Sequence, residues 1–342
     1  MREGDFSGLI DGQGRTTPLY DPWTTNAQWS RQPFPNNRIP VSRRSPLAAY
    51  IYQITPAPTL PAVNPMVADN WFAPGLNNRI EHTVTSRFDH RLSDRDQLFF
   101  RYSHGIREGT LQQGAGPITL DNLANGNMQN FTDDSGVVSW THTFSPTFFG
   151  ETLFNAASED NILFPIGQSV NVADKLGLPN PFHENAFPQL TNVGFNMTYR
   201  PGINARNYII RVYNADENFT KISGRHEIQF GGRFRYETLN SLPDQQQVMG
   251  AHAFGSLATA LYDPTSGNTL AALPRTGHDA ANLFLGVAGT YSAQFVRKWY
   301  RNTNREYALY FQDNFKVNSK LTLNFGVRWE FYPFIREKNN VL

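Results

Sequence analysis

Cysteine is absent from the 342 residues, which removes disulfide scaffolds, thiolate zinc sites, iron–sulfur clusters and cysteine nucleophiles from consideration. Charge is scarce as well: Asp, Glu, Lys and Arg make up 17%, against about a quarter of an average soluble domain. The formal net charge of +1 leaves no electrostatic footprint for nucleic acid or for an anionic membrane surface. No run approaches the roughly 18 to 20 apolar residues of a membrane helix, which excludes an α-helical membrane protein. The opening Met1-Arg2-Glu3-Gly4-Asp5 lacks the apolar core and small-residue cleavage site of a signal peptide. The sequence therefore reads either as cytosolic or as an internal piece of a longer exported chain, and the strand pattern of the remaining residues favours the second.

Catalytic patterns are also lacking. No two of the 8 His stand at metal-binding spacing, and neither a G-x-S-x-G elbow nor a Walker A loop occurs. Gly114-Ala115-Gly116 lacks the strand and helix that a nucleotide site needs. Asp133-Asp134 and Glu159-Asp160 could serve as a glycosidase pair, because that chemistry needs two carboxyls at a fixed separation. In Gly/Asn-rich loops they read rather as turn or calcium-contacting residues. Asn130-Phe131-Thr132, Asn196-Met197-Thr198 and Asn218-Phe219-Thr220 match the glycosylation acceptor pattern, which arises easily by chance in an Asn-rich chain. No enzyme activity, cofactor or metal is assigned.

What is present is aromatic residues, 13% of the chain, arranged with period two. From Leu321 to Phe331, Leu, Leu, Phe, Val, Trp and Phe alternate with Thr, Asn, Gly, Arg and Glu. That is a strand with one wholly apolar face, and its length matches the roughly 9 to 11 residues that cross a bilayer at a tilt. Val317-Asn318-Ser319-Lys320 turns it back on the strand from Glu306 to Lys316. The same unit recurs around Ile222-Ser223-Gly224-Arg225 (Asn207 to Lys221, Glu227 to Glu237) and around Ser93-Asp94-Arg95-Asp96 (Thr83 to Leu92, Gln97 to His104). A further pair, Gly136 to Phe144 and Phe148 to Ala157, surrounds Ser145-Pro146-Thr147, with its facing blurred at Gly150 and Glu151. Eight strands in four hairpins are predicted.

Connections within pairs are short, whereas Gly105 to Ser135, Ser158 to Arg206 and Thr238 to Thr303 far exceed ordinary loops. Short-long alternation is the pattern of an outer-membrane barrel. The fold expected is all-β, an antiparallel transmembrane β-barrel segment with long extracellular loops; a soluble sandwich, which would also want large apolar residues inside, is the alternative. On the barrel reading Arg87, Asp89, Arg101, Arg233, Arg235, Glu237, Arg328 and Glu330 face a watery lumen. Leu98, Phe100, Tyr102, Ile228, Phe230, Phe234, Leu321, Leu323, Phe325, Val327 and Trp329 face lipid. Trp140, Phe315, Trp329 and Tyr332 would contribute to an interfacial aromatic girdle.

Residues 1–79 differ in kind: Pro- and Asn-rich, with Thr55 to Pro61 as an extended linker and Pro46 to Ile54 as the one helical stretch. They read as a long loop region attached to a partial barrel over 80–342. Trp23, Trp29, Trp71 and Phe72 in it could stack on sugar rings or pack the loop onto itself.

Gly4-Asp5-Phe6-Ser7-Gly8, Leu19-Tyr20-Asp21-Pro22 and Gln32 to Pro40 resemble the loop region of Oar-like TonB-dependent receptors of Acidobacteria and Myxobacteria. Arg87-Phe88-Asp89-His90, Asp96 to Ser103, Asp216 to Lys221, Gly224-Arg225-His226, Phe230-Gly231-Gly232, Asn282 to Gly286, and Tyr310 to Val317 through Leu321 to Gly326 are similar in order over nearly the whole chain. The resemblance implies an outer-membrane location and a function in active uptake across that membrane. It also implies a signal peptide, a carboxypeptidase-regulatory-like domain, a TonB box, a plug and further strands, none of which is seen here, so the chain is read as a fragment. Partners implied are outer-membrane lipid, the plug and remaining strands, the TonB complex, and an unknown ligand such as an oligosaccharide, peptide or siderophore. An outer-membrane structural or adhesion protein, and a soluble β-rich carbohydrate-binding or hydrolytic domain, remain as alternatives.

Overall fold

The computed structural model describes residues 1–11, 13–55, 57, 59, 78–111, 127–165, 171–183, 185, 188–194, 207–242, 250–263, 265–266, 271–294 and 297–339. Trp71, Phe72, Gly114-Ala115-Gly116, Asn196-Met197-Thr198 and, in the linker, Pro56, Pro58, Leu60 and Pro61 lie outside them. In chain order the strands are β1 (Asn78–Arg91), β2 (Asp96–Leu111), β3 (Asn127–Ser145), β4 (Phe148–Pro165), β5 (Gln189–Thr191), β6 (Asn207–Ser223), β7 (His226–Leu242), β8 (Ala251–Ala253), β9 (Thr290–Ser292), β10 (Tyr300–Asn318), β11 (Leu321–Phe331) and β12 (Arg336–Glu337). The helices are α1 (Pro46–Ile54), α2 (Val172–Lys175) and α3 (Asp279–Leu285).

The main sheet runs β1-β2-β3-β4-β6-β7-β10-β11, with β12 added beside the far end of β10. Every pairing in it is antiparallel, and β1 does not meet β11, so the sheet is an open arc. Its hairpins close at short turns such as Gly224-Arg225, where Gly224 adopts a φ of 58° that favours glycine. Register sets the slant. Asp96 opposes His142, Phe148 opposes Lys221 and His226 opposes Phe315, so each hairpin's neighbour runs two or three residues further down. Such a stagger tilts strands in barrels by roughly 35–45°. Each turn also accepts an amide from the next hairpin: Thr143 N–H donates to the Arg95 carbonyl, Ile222 to Thr147 and Lys316 to Arg225, each at 2.8 Å.

Two glycines let strands be covered by aromatic rings. A Cβ on Gly150 would lie 2.7 Å from the Phe219 ring, and one on Gly231 would lie 2.9 Å from that of Tyr310. Phe219 thus fills the gap over Gly150 on one face, and Tyr310 the gap over Gly231 on the other.

The strands are longer than the sequence pattern predicts. Asn127 to Ser135 and Ser158 to Pro165, which the pattern assigns to loops, continue β3 and β4 in ladder register, and β2 runs on to Leu111. The acids Asp133-Asp134 and Glu159-Asp160 therefore stand on strands and not in loops, with Asp133 opposite Glu159. The pattern fades there because polar residues enter both faces and the few apolar ones, such as Met128, Phe131 and Ile162, no longer alternate. The facing of the β3–β4 hairpin is fixed as well: Val138 and Trp140 share a face with Phe154 and Thr152, while Glu151 points the other way to accept from the Ser139 hydroxyl at 2.8 Å.

A second body of structure is built from segments far apart in sequence. One buried cluster joins Leu47, Ala48, Ile51 and Ile54 of α1 to Val172, Leu190, Val193, Phe254 and Leu283. The other joins Phe6, Leu9, Leu19, Phe34 and Ile39 to Ala280, Ala281, Phe284 and Leu285 of α3. α3 belongs to both and is buried at every position from Ala280 to Leu285. His278 caps its start by accepting from Ala280 N–H, and Gly286, at φ 75°, caps its end. β5, β8 and β9 form a small sheet beside it, with β5 and β8 parallel. The described residues of these segments thus form a module with a core of its own, which no local periodicity announced.

Candidate functional site

Alternation along the strands divides the main sheet into a polar and an apolar face. Cross-strand pairs place Arg87, Asp89, Arg101, Arg233, Arg235, Glu237, Arg328 and Glu330 on the polar face. Leu98, Phe100, Tyr102, Ile228, Phe230, Phe234, Leu321, Leu323, Phe325, Val327 and Trp329 all fall on the other. Among strand residues of the arc, Phe131, Val137, Ser139, Asn161 and Ala308 on the polar face are buried. On the apolar face Asp313 is buried, whereas the large apolar side chains stay open, Val327 at 67% exposure and Leu309 at 59%, so these residues pack no core.

The polar face neutralises itself. Residues i and i+2 on a strand point the same way, so an arginine can reach the acid two positions on. Arg87 holds Asp89 with two hydrogen bonds of 2.8 and 2.7 Å, Arg235 meets Glu237 at 2.7 Å, and Arg328 bonds Glu330, which also accepts from Tyr332 at 2.8 Å. Arg79 and Glu81 repeat the motif at 2.7 Å. Arg233 instead crosses to Asp216 at 2.5 Å, a partner that becomes visible once the register is known. Arg101 stands directly opposite Arg87 and has no hydrogen-bond or ion-pair partner among the described residues. Tyr310 donates to Asn218 at 2.9 Å across β7. Such a wall is polar with little net charge.

The apolar face is bounded on both sides by polar pairs. Near the short turns Asp96 joins His142 at 2.6 Å and accepts from Trp140 Nε1 at 3.1 Å, while Asp313 joins His226 at 2.6 Å. Toward the long connections, Tyr102, Gly136, Ala156, Tyr213, Tyr236 and Arg305 oppose one another in one cross-strand row. Just beyond it Asp134 bonds Tyr102 and His104, and Asp160 meets Arg211 at 2.5 Å. Between these limits Phe, Leu, Ile, Val and Trp dominate; Glu217, tied to the Thr152 hydroxyl at 2.7 Å, is the one carboxylate among the described residues there. An apolar band edged by Tyr and by ion pairs has the anatomy of a barrel exterior, where the band is about 25 Å tall.

The module of loops carries the remaining candidate surface. Trp23 is 63% and Trp29 48% exposed. Arg43 lies 4.4 Å over Trp23 and pairs with Asp21 at 2.6 Å; its guanidinium holds the Asp21 carboxyl below the usual range. Arg31 lies 4.4 Å over Tyr262 and donates to the carbonyls of Leu257, Ala258 and Ala260, tying residues 18–34 to the connection before α3. Burial lowers the pKa of His252 and His278 and raises that of Asp279. Hydrogen bonds from the Arg15 side chain and backbone bring Asp11 down to about 2. No group of three or more His, Asp or Glu that could hold a metal ion occurs among the described residues.

The profile of the family described as outer membrane beta barrel domain matches residues 1–342. No curated protein matches the chain. Among solved structures, the outer membrane transporter YddB from Escherichia coli aligns at 10% identity over 74% of this chain and 27% of its own, with a TM-score of 0.45. The ferric-catecholate import receptor Fiu from E. coli K12 aligns at 14% identity over 75% and 37%, with a TM-score of 0.43. The siderophore receptor PiuA from Acinetobacter baumannii aligns at 12% over 75% and 36%, with a TM-score of 0.40. The chain spans about a third of the length of these proteins.

Proposed function

The chain belongs to the outer membrane beta barrel domain family and resides in the outer membrane, and from that premise we propose that it forms part of the wall and the substrate-contacting outer loops of a TonB-dependent receptor of Oar-like type. In this reading the apolar face meets lipid and the polar face lines the lumen. Residues 1–79 join the long connections in the outer layer, and 80–342 supply the arc of barrel. The plug, the remaining strands and the TonB complex act with it, and the ligand is an oligosaccharide, a peptide or a siderophore.

The observation that carries the reading is the polar face. Four of its arginines, Arg79, Arg87, Arg235 and Arg328, are matched to acids along their own strands and Arg233 to one on the next strand, which suits a hydrated wall without a large net charge that would trap an ion. A wall of that kind suits passage, whereas a soluble sandwich would have to bury one face. Loops folded into a module with exposed Trp23 and Trp29 offer a contact surface held on a rigid scaffold.

Accumulation of labelled ligand by cells producing the full-length protein tests this. Uptake should stop when a protonophore collapses the energised inner membrane, while binding at the cell surface persists. Binding with no energy-dependent accumulation for any ligand class would instead favour a structural or adhesive role.

A further inference from the structure

A groove of about 1290 Å³ runs along the apolar face over β6, β7 and β10. Phe219, Phe230, Leu309, Phe311 and Trp329 line its length, and a cation stands at each end, Lys221 on the turn side and Arg305 on the side of the long connections. Arg305 opposes Tyr236 and Lys221 opposes Ile228, eight residues lower on β7, about 26 Å along the strand. The groove therefore extends over most of the depth of the apolar band.

The two ends are not equivalent. Lys221 reaches the Thr147 hydroxyl at 3.4 Å and lies 5.5 Å over Phe148. Arg305 is exposed and has no hydrogen-bond or ion-pair partner among the described residues; its guanidinium lies 6.0 Å from the Tyr236 ring. Arg211, near the same edge, is occupied by Asp160. Arg301, further out on the same face of β10, spends Nε on Asn240 at 3.0 Å and remains exposed. Glu337, an acid near this end of β10, accepts from the backbone N–H of Arg301 and Asn339. The hydroxyls of Tyr213, Tyr236 and Tyr307 find no protein partner among the described residues, and Tyr213 stacks on Tyr236 at 6.4 Å. A free guanidinium, a second one nearby and three phenolic hydroxyls thus stand at the head of an acyl-sized channel.

We propose that this groove binds a phosphorylated glycolipid of the outer leaflet, its phosphate on Arg305, its sugar against the tyrosine hydroxyls and one acyl chain laid along Leu309 and Phe311. The planar guanidinium takes phosphate in a bidentate grip. The end chosen follows from topology, since Arg305 lies toward the long connections. Glu217 lies four residues below the tyrosine row, at acyl depth, with its carboxylate turned to Thr152.

The inference rests on the apolar face meeting lipid, and one experiment separates the two. The delipidated full-length protein in mild detergent is titrated with bisphosphorylated lipid A, dephosphorylated lipid A and phosphatidylglycerol, and bound copies are counted by native mass spectrometry. Lipid A should bind as one copy, with about a tenfold loss on dephosphorylation or on Arg305→Ala, the scale of one charge-assisted contact. Lys221→Ala should leave binding unchanged, and Leu309→Trp should weaken it by blocking the chain path. Each variant is first checked for wild-type heat-modifiable mobility on gels. Equal affinity for phosphatidylglycerol, or a loss on Lys221→Ala in place of Arg305→Ala, overturns the glycolipid site. Retention of no lipid of any class overturns the lipid-facing assignment beneath it.

Discussion

Val327 and Leu321 occupy the same face of β11, six residues apart, and together they measure the depth of the apolar band. Arginine at a bilayer midplane costs a barrel about 2 to 4 kcal/mol, and about 0 to 1 near an interface. Val327→Arg should therefore lower stability by the larger amount and Leu321→Arg by the smaller, read as urea unfolding of the full-length protein in lipid vesicles. Equal costs would mean that these side chains do not meet a membrane. Across the sheet, Arg235→Gln breaks a half-exposed pair with Glu237 and should change stability by less than about 1 kcal/mol. Which of these residues share a face was legible in the sequence because period two is a local signal. Pairing was legible in part: Arg87-Phe88-Asp89 and Arg328-Trp329-Glu330 carry both partners two positions apart, whereas the partner of Arg233 lies seventeen residues back at Asp216, where strand register alone brings it near.

Whole elements were less legible than single faces. The lower halves of β3 and β4 alternate, but from Asn127 to Ser135 neither face has to be apolar, so the strand signal stops where the membrane band stops and not where the strand stops. α3 escaped for another reason: all six positions from Ala280 to Leu285 are buried, so it shows no amphipathic stripe, and its packing partners come from residues as distant as Phe6 and Leu47. Leu283→Ala should cost the module about 2 to 5 kcal/mol, seen as faster hydrogen exchange at residues 250–294 with the arc unchanged. The module should also respond to acid. His252 and His278 titrate below their ordinary value because burial disfavours the cation; their neutral forms stabilise the fold above about pH 6.5, and that contribution is lost as pH falls through this value toward the lowered one. Asp11, held near 2 by Arg15, contributes above its unfolded value of about 3.9 and fails at much lower pH. Loosening of the module should therefore begin near pH 6, and His278→Asn, which keeps a capping acceptor and removes a titrating ring, should move the onset downward. Tryptophan fluorescence against pH reads both.

At the scale of the whole molecule the absence of cysteine makes topology directly measurable. A single thiol introduced by Ser266→Cys, in the connection between β8 and β9, should react with an impermeant maleimide on intact cells. One introduced by Ser319→Cys, in the β10–β11 turn, should react after the outer membrane is opened. The reverse order would invert the molecule and move the proposed lipid site to the wrong leaflet. The base of the sheet has a direction of its own. Arg95, Thr147 and Arg225 each hand a carbonyl forward to the hairpin synthesised next, and none of these three bonds runs backward. Every finished hairpin is thereby a template for its successor, so the arc has a built-in order of growth, like courses of brick laid from one end. Rearranging the gene so that a later hairpin emerges first would leave each of those carbonyls waiting for its mate, and insertion of the permuted chain should slow even though every contact in the finished wall is preserved.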